Sequence, residues 1–156
     1  MKLRAWVLLS CLLGSAGAFS DTTIGVGVSR IDYFNDEYTG VGTDISGKFS
    51  DFLGYAVSSQ IGGSGLDYFV AAKLRGGITL YSLNAGAGEG FLYLTVGRGH
   101  AALTRGGTLN DAVYGIGFES FFGANGKWGL GLEYNRGAGD DFDGGGQLAA
   151  TMRYRF

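Results

Sequence analysis

Hydrophobic and polar residues alternate with a period of two along most of the chain, most clearly at its C-terminus. From Gln147 onward one set of alternate positions is wholly apolar, while the other set includes Arg153 and Arg155. A period of two places the two sets on opposite faces of a β-strand. The apolar set consists of Leu148, Ala150, Met152, Tyr154 and Phe156.

The same alternation recurs upstream, so that the mature chain is predicted to contain eight strands. In one example Leu130, Leu132 and Tyr134 alternate with Gly131 and Glu133. Each such segment has one apolar face and one face rich in glycine and charge. The predicted strands cover residues 22–31, 40–49, 52–61, 66–80, 91–100, 112–122, 127–136 and 145–156.

The links between these strands indicate how they are arranged. Strands 2–3, 4–5 and 6–7 are joined at 49–51, 83–90 and 123–126, and two of these three links are short. The other links are polar, rich in glycine and mostly longer, and they cover 32–39, 62–65, 101–111 and 137–144. Short turns at one end and longer loops at the other are typical of outer-membrane barrels. We therefore predict an all-β fold, an eight-stranded antiparallel transmembrane up-and-down β-barrel, over residues 21–156.

Residues 1–20 have the layout of a cleaved secretory signal peptide. Lys2 and Arg4 precede a short apolar stretch, and small residues follow at positions 16–18. Cleavage after Ala18 and cleavage after Ser20 both fit this pattern. Cys11 has an alternative interpretation as a lipid-attachment cysteine, but the apolar stretch continues beyond it.

Removal of residues 1–20 changes the composition. Ten of the 12 basic residues remain against 14 acidic residues, so that the net charge is −4, and no cysteine is left. No basic surface for nucleic acid is indicated. The mature chain also lacks an apolar run of about 18 residues, which excludes a membrane-spanning helix.

The polar strand faces combine charge with small residues, which suits a narrow barrel interior. An eight-stranded barrel has an interior that side chains just fill, and glycine leaves room for long arginine and lysine side chains. We predict an interior ionic cluster that plugs the lumen, since unpaired charges there would be costly. The alternative is a hydrated pore lining. The predicted cluster consists of Lys73, Arg75, Glu119, Glu133, Arg153 and Arg155.

Aromatic residues at strand ends predict girdles at the two membrane interfaces. Trp128, Phe122 and Phe91 are expected near the periplasmic rim. Tyr114 and Tyr134 are expected nearer the outer rim.

Two features resemble a known group of proteins. The ending Met152-Arg153-Tyr154-Arg155-Phe156 resembles the C-terminal signal that the barrel-assembly machinery reads, which implies that role for Met152, Tyr154 and Phe156. Segments 114–119 and 130–134 resemble strands 6 and 7 of the opacity-protein and OmpX-like family, which includes the membrane domain of outer-membrane protein A. This resemblance implies a bacterial outer-membrane location. Many members carry Glu and Arg inside strand 3, where this chain has Gly54, Ala56, Ser58 and Gln60.

The expected function is a structural or surface-interaction role in the outer membrane. The expected partners are the lipid bilayer, lipopolysaccharide and the barrel-assembly machinery, and the protein is expected to be a monomer without a cofactor. One alternative is a narrow, porin-like diffusion channel. Another is a lipid A-modifying enzyme, which would need a serine activated by histidine. His100 is followed by Ala101 and Ala102 instead of a serine, so no enzyme activity is expected.

Two acidic segments are candidates for cation binding. Residues 140–144 read Asp-Asp-Phe-Asp-Gly, and a second group comprises Asp32, Asn35, Asp36 and Glu37. Neither has the full ligand spacing of a calcium loop. We expect solvated outer loops, with divalent cations that bridge lipopolysaccharide as the alternative.

Overall fold

The computed structural model describes residues 22–33, 36–61, 65–83, 88–104, 106–123, 125–139 and 145–156. The predicted signal peptide lies outside these ranges. No helix in the described part of the chain is long and apolar enough to cross a membrane. The strands are β1 Thr23–Tyr33, β2 Asp36–Lys48, β3 Leu53–Ile61, β4 Leu66–Leu83, β5 Gly88–Leu103, β6 Thr108–Phe122, β7 Trp128–Gly137 and β8 Gly146–Arg155.

The eight strands form one closed antiparallel barrel in sequence order, which confirms the predicted fold class. Closure occurs between β1 and β8, whose register runs from Thr23 opposite Arg155 to Ile31 opposite Gln147. Each strand therefore has a hydrogen-bonded neighbour on both sides, so no strand edge is left with unpaired backbone groups, as it would be in an open sheet.

Around the middle of the barrel the side chains follow the predicted alternation, with apolar groups outside and charged groups inside. On β7, Leu130 and Leu132 are each 56% exposed, whereas Glu133 is 5% exposed. A soluble barrel would show the reverse arrangement, because it buries its apolar side chains away from water.

The link lengths differ from the prediction. At the end of the barrel that holds both termini, which we call the turn end, the links are 49–52, 84–87 and 123–127. At the opposite end, the loop end, they are 34–35, 62–65, 104–107 and 138–145. Of the loop-end links only 138–145 is clearly longer than the turn-end links. The links predicted at 32–39 and 101–111 are shorter than expected because the paired strands continue through most of these residues.

Candidate functional site

Six charged side chains form a balanced layer across the middle of the lumen. Their side chains are at most 8% exposed, so each charge must be neutralised within the barrel. Three are acidic and three are basic. We call this set the ionic layer: Asp44, Lys73, Arg75, Glu119, Glu133 and Arg153.

Glu133 accepts hydrogen bonds from four side chains. Lys73 and Arg75 on β4 reach it from across the barrel, with Arg75 Nη2 at 2.9 Å from Oε2. The Tyr93 hydroxyl donates to the same oxygen at 3.1 Å, and the Asn135 amide donates to Oε1 at 2.8 Å. Glu133 therefore links β7 to β4 and β5 through the centre of the lumen.

Arg153 and Arg75 hold the other two carboxylates. Arg153 on β8 pairs with Glu119, and its Nη2 lies 3.1 Å from Oδ2 of Asp44 on β2. Arg75 lies 3.5 Å from Glu119 and 3.9 Å from the same Asp44 oxygen. The ionic layer thus connects five of the eight strands, and Tyr93 adds β5.

A second ionic group lies below this layer, toward the turn end. Glu89 accepts from Lys48 at 2.6 Å and from Arg155 at 2.8 Å. Lys48 lies over the ring of Phe91, and the Arg155 guanidinium lies 3.8 Å from the centre of the Phe121 ring. These cation–π contacts further stabilise the partly desolvated charges.

Apolar side chains fill the lumen at the loop end. Phe69 is 2% exposed and Ile31 is 1% exposed, and both side chains lie on the inner face of the barrel. We call this cluster the apolar cap: Ile31, Tyr38, Leu66, Phe69, Ala71, Ala101 and Val113.

Two small cavities lined by described residues lie between these layers. One, of about 30 Å³, is lined by residues that include Asp44, Ser58 and Arg153. The other, of about 20 Å³, lies beside Lys48, Phe91 and Arg155. Each has room for only one or two water molecules.

The structure places all six residues of the predicted ionic cluster inside the barrel and brings five of them together. Arg155 instead pairs with Glu89, nearer the turn end. Glu119 pairs with Arg153, whereas Glu133 pairs with Lys73 and Arg75.

Sequence analysis missed four charged groups of the interior, one of which is Asp111 on β6. Asp44 and Lys48 lie on the same face of β2 as Ser46. The alternation of inward and outward positions along β2 was therefore the signal that could have identified them. Glu89 was assigned to a loop, but it lies in β5.

Four of the five predicted girdle residues point outward, and Phe91 does not. Trp128, Phe122, Tyr114 and Tyr134 are 46–53% exposed, whereas Phe91 is 4% exposed inside the barrel. The assignment of Phe91 to the girdle was wrong because alternate residues of a strand share a face, and Phe91 alternates with Tyr93 and Thr95 on the inward face of β5.

Met152 and Tyr154 of the predicted C-terminal signal lie on the outward face of β8, and Phe156 directly follows this strand. Met152 is 55% and Phe156 67% exposed. The Tyr154 ring packs edge-on against Trp128 and Phe156, at centroid distances of 5.0 and 5.3 Å. These three side chains are therefore accessible from outside the barrel.

His100 lies on the outward surface of β5. Its Nε2 is 3.2 Å from the Tyr68 hydroxyl and its Nδ1 is 2.6 Å from Oδ1 of Asn110. No cluster of three metal-ligating side chains occurs among the described residues. The acidic segment 140–144 lies outside them, and in the other segment Asp32 and Glu37 pair with Arg30.

Interior glycines make room for the large polar side chains, which gives a first test of the packing. A Cβ on Gly117 would overlap the ring of Tyr93. We expect Gly117→Val to lower the free energy of unfolding by about 1–3 kcal/mol, the usual range for overpacking. Urea titration of the refolded protein in detergent measures this.

Gly76→Val is the matched control. Gly76 also lies in a strand, but a Cβ there would meet only Leu53 and Phe52 atoms at 3.8 and 3.9 Å. Equal losses for the two variants would contradict the tight packing around Tyr93.

No family profile matches the chain, and no curated protein matches it. Solved structures match it at the level of the fold. The N-terminal β-barrel domain of Pseudomonas aeruginosa OprF is 11% identical with a TM-score of 0.59, covering 88% of this chain and 98% of that one.

Two further structures agree with this match. Neisserial surface protein A is 17% identical with a TM-score of 0.54, over 87% of this chain and 96% of its own. The Yersinia pestis outer membrane protein Ail, in a phospholipid bilayer nanodisc, is 16% identical with a TM-score of 0.51, over 88% and 99%. At such identities the likeness establishes the eight-stranded barrel fold.

Proposed function

We propose that this protein is an outer-membrane barrel with a closed lumen, which has a structural or surface-interaction role and no transport or catalytic activity. The observation that carries the proposal is the filling of the lumen by side chains along its length. The ionic layer lies between the apolar cap and the cluster of Lys48, Glu89 and Arg155.

The outward surface supports the membrane location. Apolar side chains such as Val26, Leu94 and Leu132 are more than half exposed, and they surround the barrel. A continuous apolar surface of this extent is unstable in water but suits the acyl chains of a bilayer. The Ail structure was obtained in a phospholipid bilayer.

The even number of strands sets the orientation that we propose. Both termini lie at the turn end, which faces the periplasm in barrels of this type. The loop end, with the apolar cap beneath it, then faces the outside. Because closure leaves no free sheet edge for pairing, we propose a monomer.

A narrow diffusion channel is the competing function. It requires a continuous water path past Arg75, Glu133 and Arg153, whose side chains are 2–5% exposed. Opening such a path would separate buried ion pairs, which costs several kcal/mol.

Cell fractionation together with heat-modifiability tests the membrane location and the barrel. We expect the protein in the outer-membrane fraction, and we expect the unheated sample to migrate differently from the boiled sample on a gel. Recovery of the mature protein dissolved in the periplasm would refute the proposal.

The exposed C-terminal strand is proposed to be read by the barrel-assembly machinery. We expect Phe156→Ala to reduce the amount of folded protein in the outer membrane, since Phe156 is 67% exposed, the largest exposure among the described large apolar side chains. The measurement is the folded fraction on unheated gels.

Phe52→Ala is the control, because Phe52 is 59% exposed but lies in a turn, away from β8. Equal folded amounts of the Phe156 variant and the control would contradict the role of the C-terminal residue.

A further inference from the structure

Two arginines lie on the outward surface near the loop end without an acidic partner among the described residues. Arg98 on β5 and Arg136 on β7 are both exposed. Arg98 lies two positions after Val96, and Arg136 lies two positions after Tyr134. Each therefore shares the outward face of its strand with that apolar side chain and projects away from the lumen. An outward arginine is costly at the middle of a bilayer, by about 2–4 kcal/mol, but costs little near its edge.

The register places the two arginines on either side of β6. Arg98 is opposite Ala112, and Arg136 is opposite Tyr114. Strand spacing and rise put the two backbone positions about 12 Å apart. The small Ala112 side chain leaves the surface between them open, with the Tyr114 ring on its membrane side.

Arg30 provides an internal contrast. It also faces outward near the loop end, but its guanidinium is neutralised by Asp32 at 2.9 Å and Glu37 at 2.6 Å. Arg98 and Arg136 therefore differ from Arg30 in having no acidic partner among the described residues, at the edge of the apolar surface.

We propose that Arg98 and Arg136 together bind the phosphate groups of lipid A, the diphosphorylated lipid of the outer leaflet. Guanidinium groups bind phosphate through paired, charge-assisted hydrogen bonds. Acyl chains of the bound lipid would then lie along the apolar side chains below, such as Val96 and Ile116. This inference rests on the proposed outer-membrane function, because it needs the loop end to face the outer leaflet.

Native mass spectrometry of the full, folded barrel in detergent tests the proposal. The probes are diphosphorylated lipid A and its dephosphorylated form. We expect the doubly substituted R98A/R136A variant to bind diphosphorylated lipid A at least about tenfold more weakly than the wild type. We expect the wild type to bind the dephosphorylated form as weakly as that variant does.

Arg30→Ala is the matched control and should leave the affinity unchanged. Equal binding by the double variant and the wild type would overturn the proposal, as would equal binding of the two lipid forms. Displacement of the lipid by millimolar inorganic phosphate would also overturn it, since the site would then recognise free phosphate.

Heat-modifiability of each variant shows whether the barrel is folded. A folded barrel recovered from the outer membrane that fails to bind lipid A would refute this inference alone. Failure of the barrel to reach the outer membrane would instead refute the proposed function.

Discussion

Replacing Glu133 with alanine is expected to lower the free energy of unfolding by about 3–5 kcal/mol, the cost of breaking a buried ion pair from one side. The substitution leaves Lys73 and Arg75 without their main acceptor, and both side chains are at most 5% exposed. It also removes an acceptor from Tyr93. Urea unfolding of the refolded protein in detergent measures the change.

Glu37→Ala is the matched control for that experiment. Glu37 is also paired with an arginine, but its side chain is 60% exposed, and exposed pairs contribute only about 0–1 kcal/mol. A loss below about 0.5 kcal/mol for the Glu133 variant would mean that the lumen is hydrated enough to stabilise the unpaired charges.

Truncating Phe69 is expected to have a comparable effect by a different mechanism. Phe69 is one of the largest fully buried side chains and lies in the apolar cap. We expect Phe69→Ala to lower the free energy of unfolding by about 3–5 kcal/mol, through lost apolar contacts and the cavity that remains. The same urea titration measures it.

Phe69→Leu retains most of the apolar volume and should cost less than about 1.5 kcal/mol. If the alanine variant were as stable as the leucine variant, the apolar cap would not be packed as the structure shows.

The strands could be predicted from sequence because each one alternates cleanly between two environments. Their ends could not be predicted as well, since a paired strand that extends beyond the apolar surface can carry polar residues on both faces. At the start of β6, Thr108 and Asn110 point outward, while Leu109 and Asp111 point inward. Composition alone therefore assigned this segment to a loop.

The alternation along each strand identified most of the residues that point into the lumen, but it did not show which of them contact one another. Partners in the ionic layer lie across the barrel on distant strands, such as Lys73 and Glu133 on β4 and β7. Their contact depends on the strand register and on closure between β1 and β8. Glu133 and Arg153 lie on neighbouring strands, yet Glu133 pairs with Lys73 and Arg75 on β4.

Sequence analysis missed the apolar cap because it predicted a lumen filled throughout by charged and small residues. Ile31 and Phe69 lie at inward positions of their strands, but both are apolar. They were therefore not identified by a search for charged residues on the inner face. The interior is polar in its middle and apolar toward the loop end, and this change along the axis is visible only after the strands are aligned.

Planar-bilayer conductance of the purified, folded wild-type protein tests most directly whether the lumen is closed. The packed layers around Arg75, Glu133 and Phe69 predict no steady current above that of the bilayer alone. A stable open current carried by the folded barrel would show that ions and water pass these side chains, and it would contradict the closed lumen.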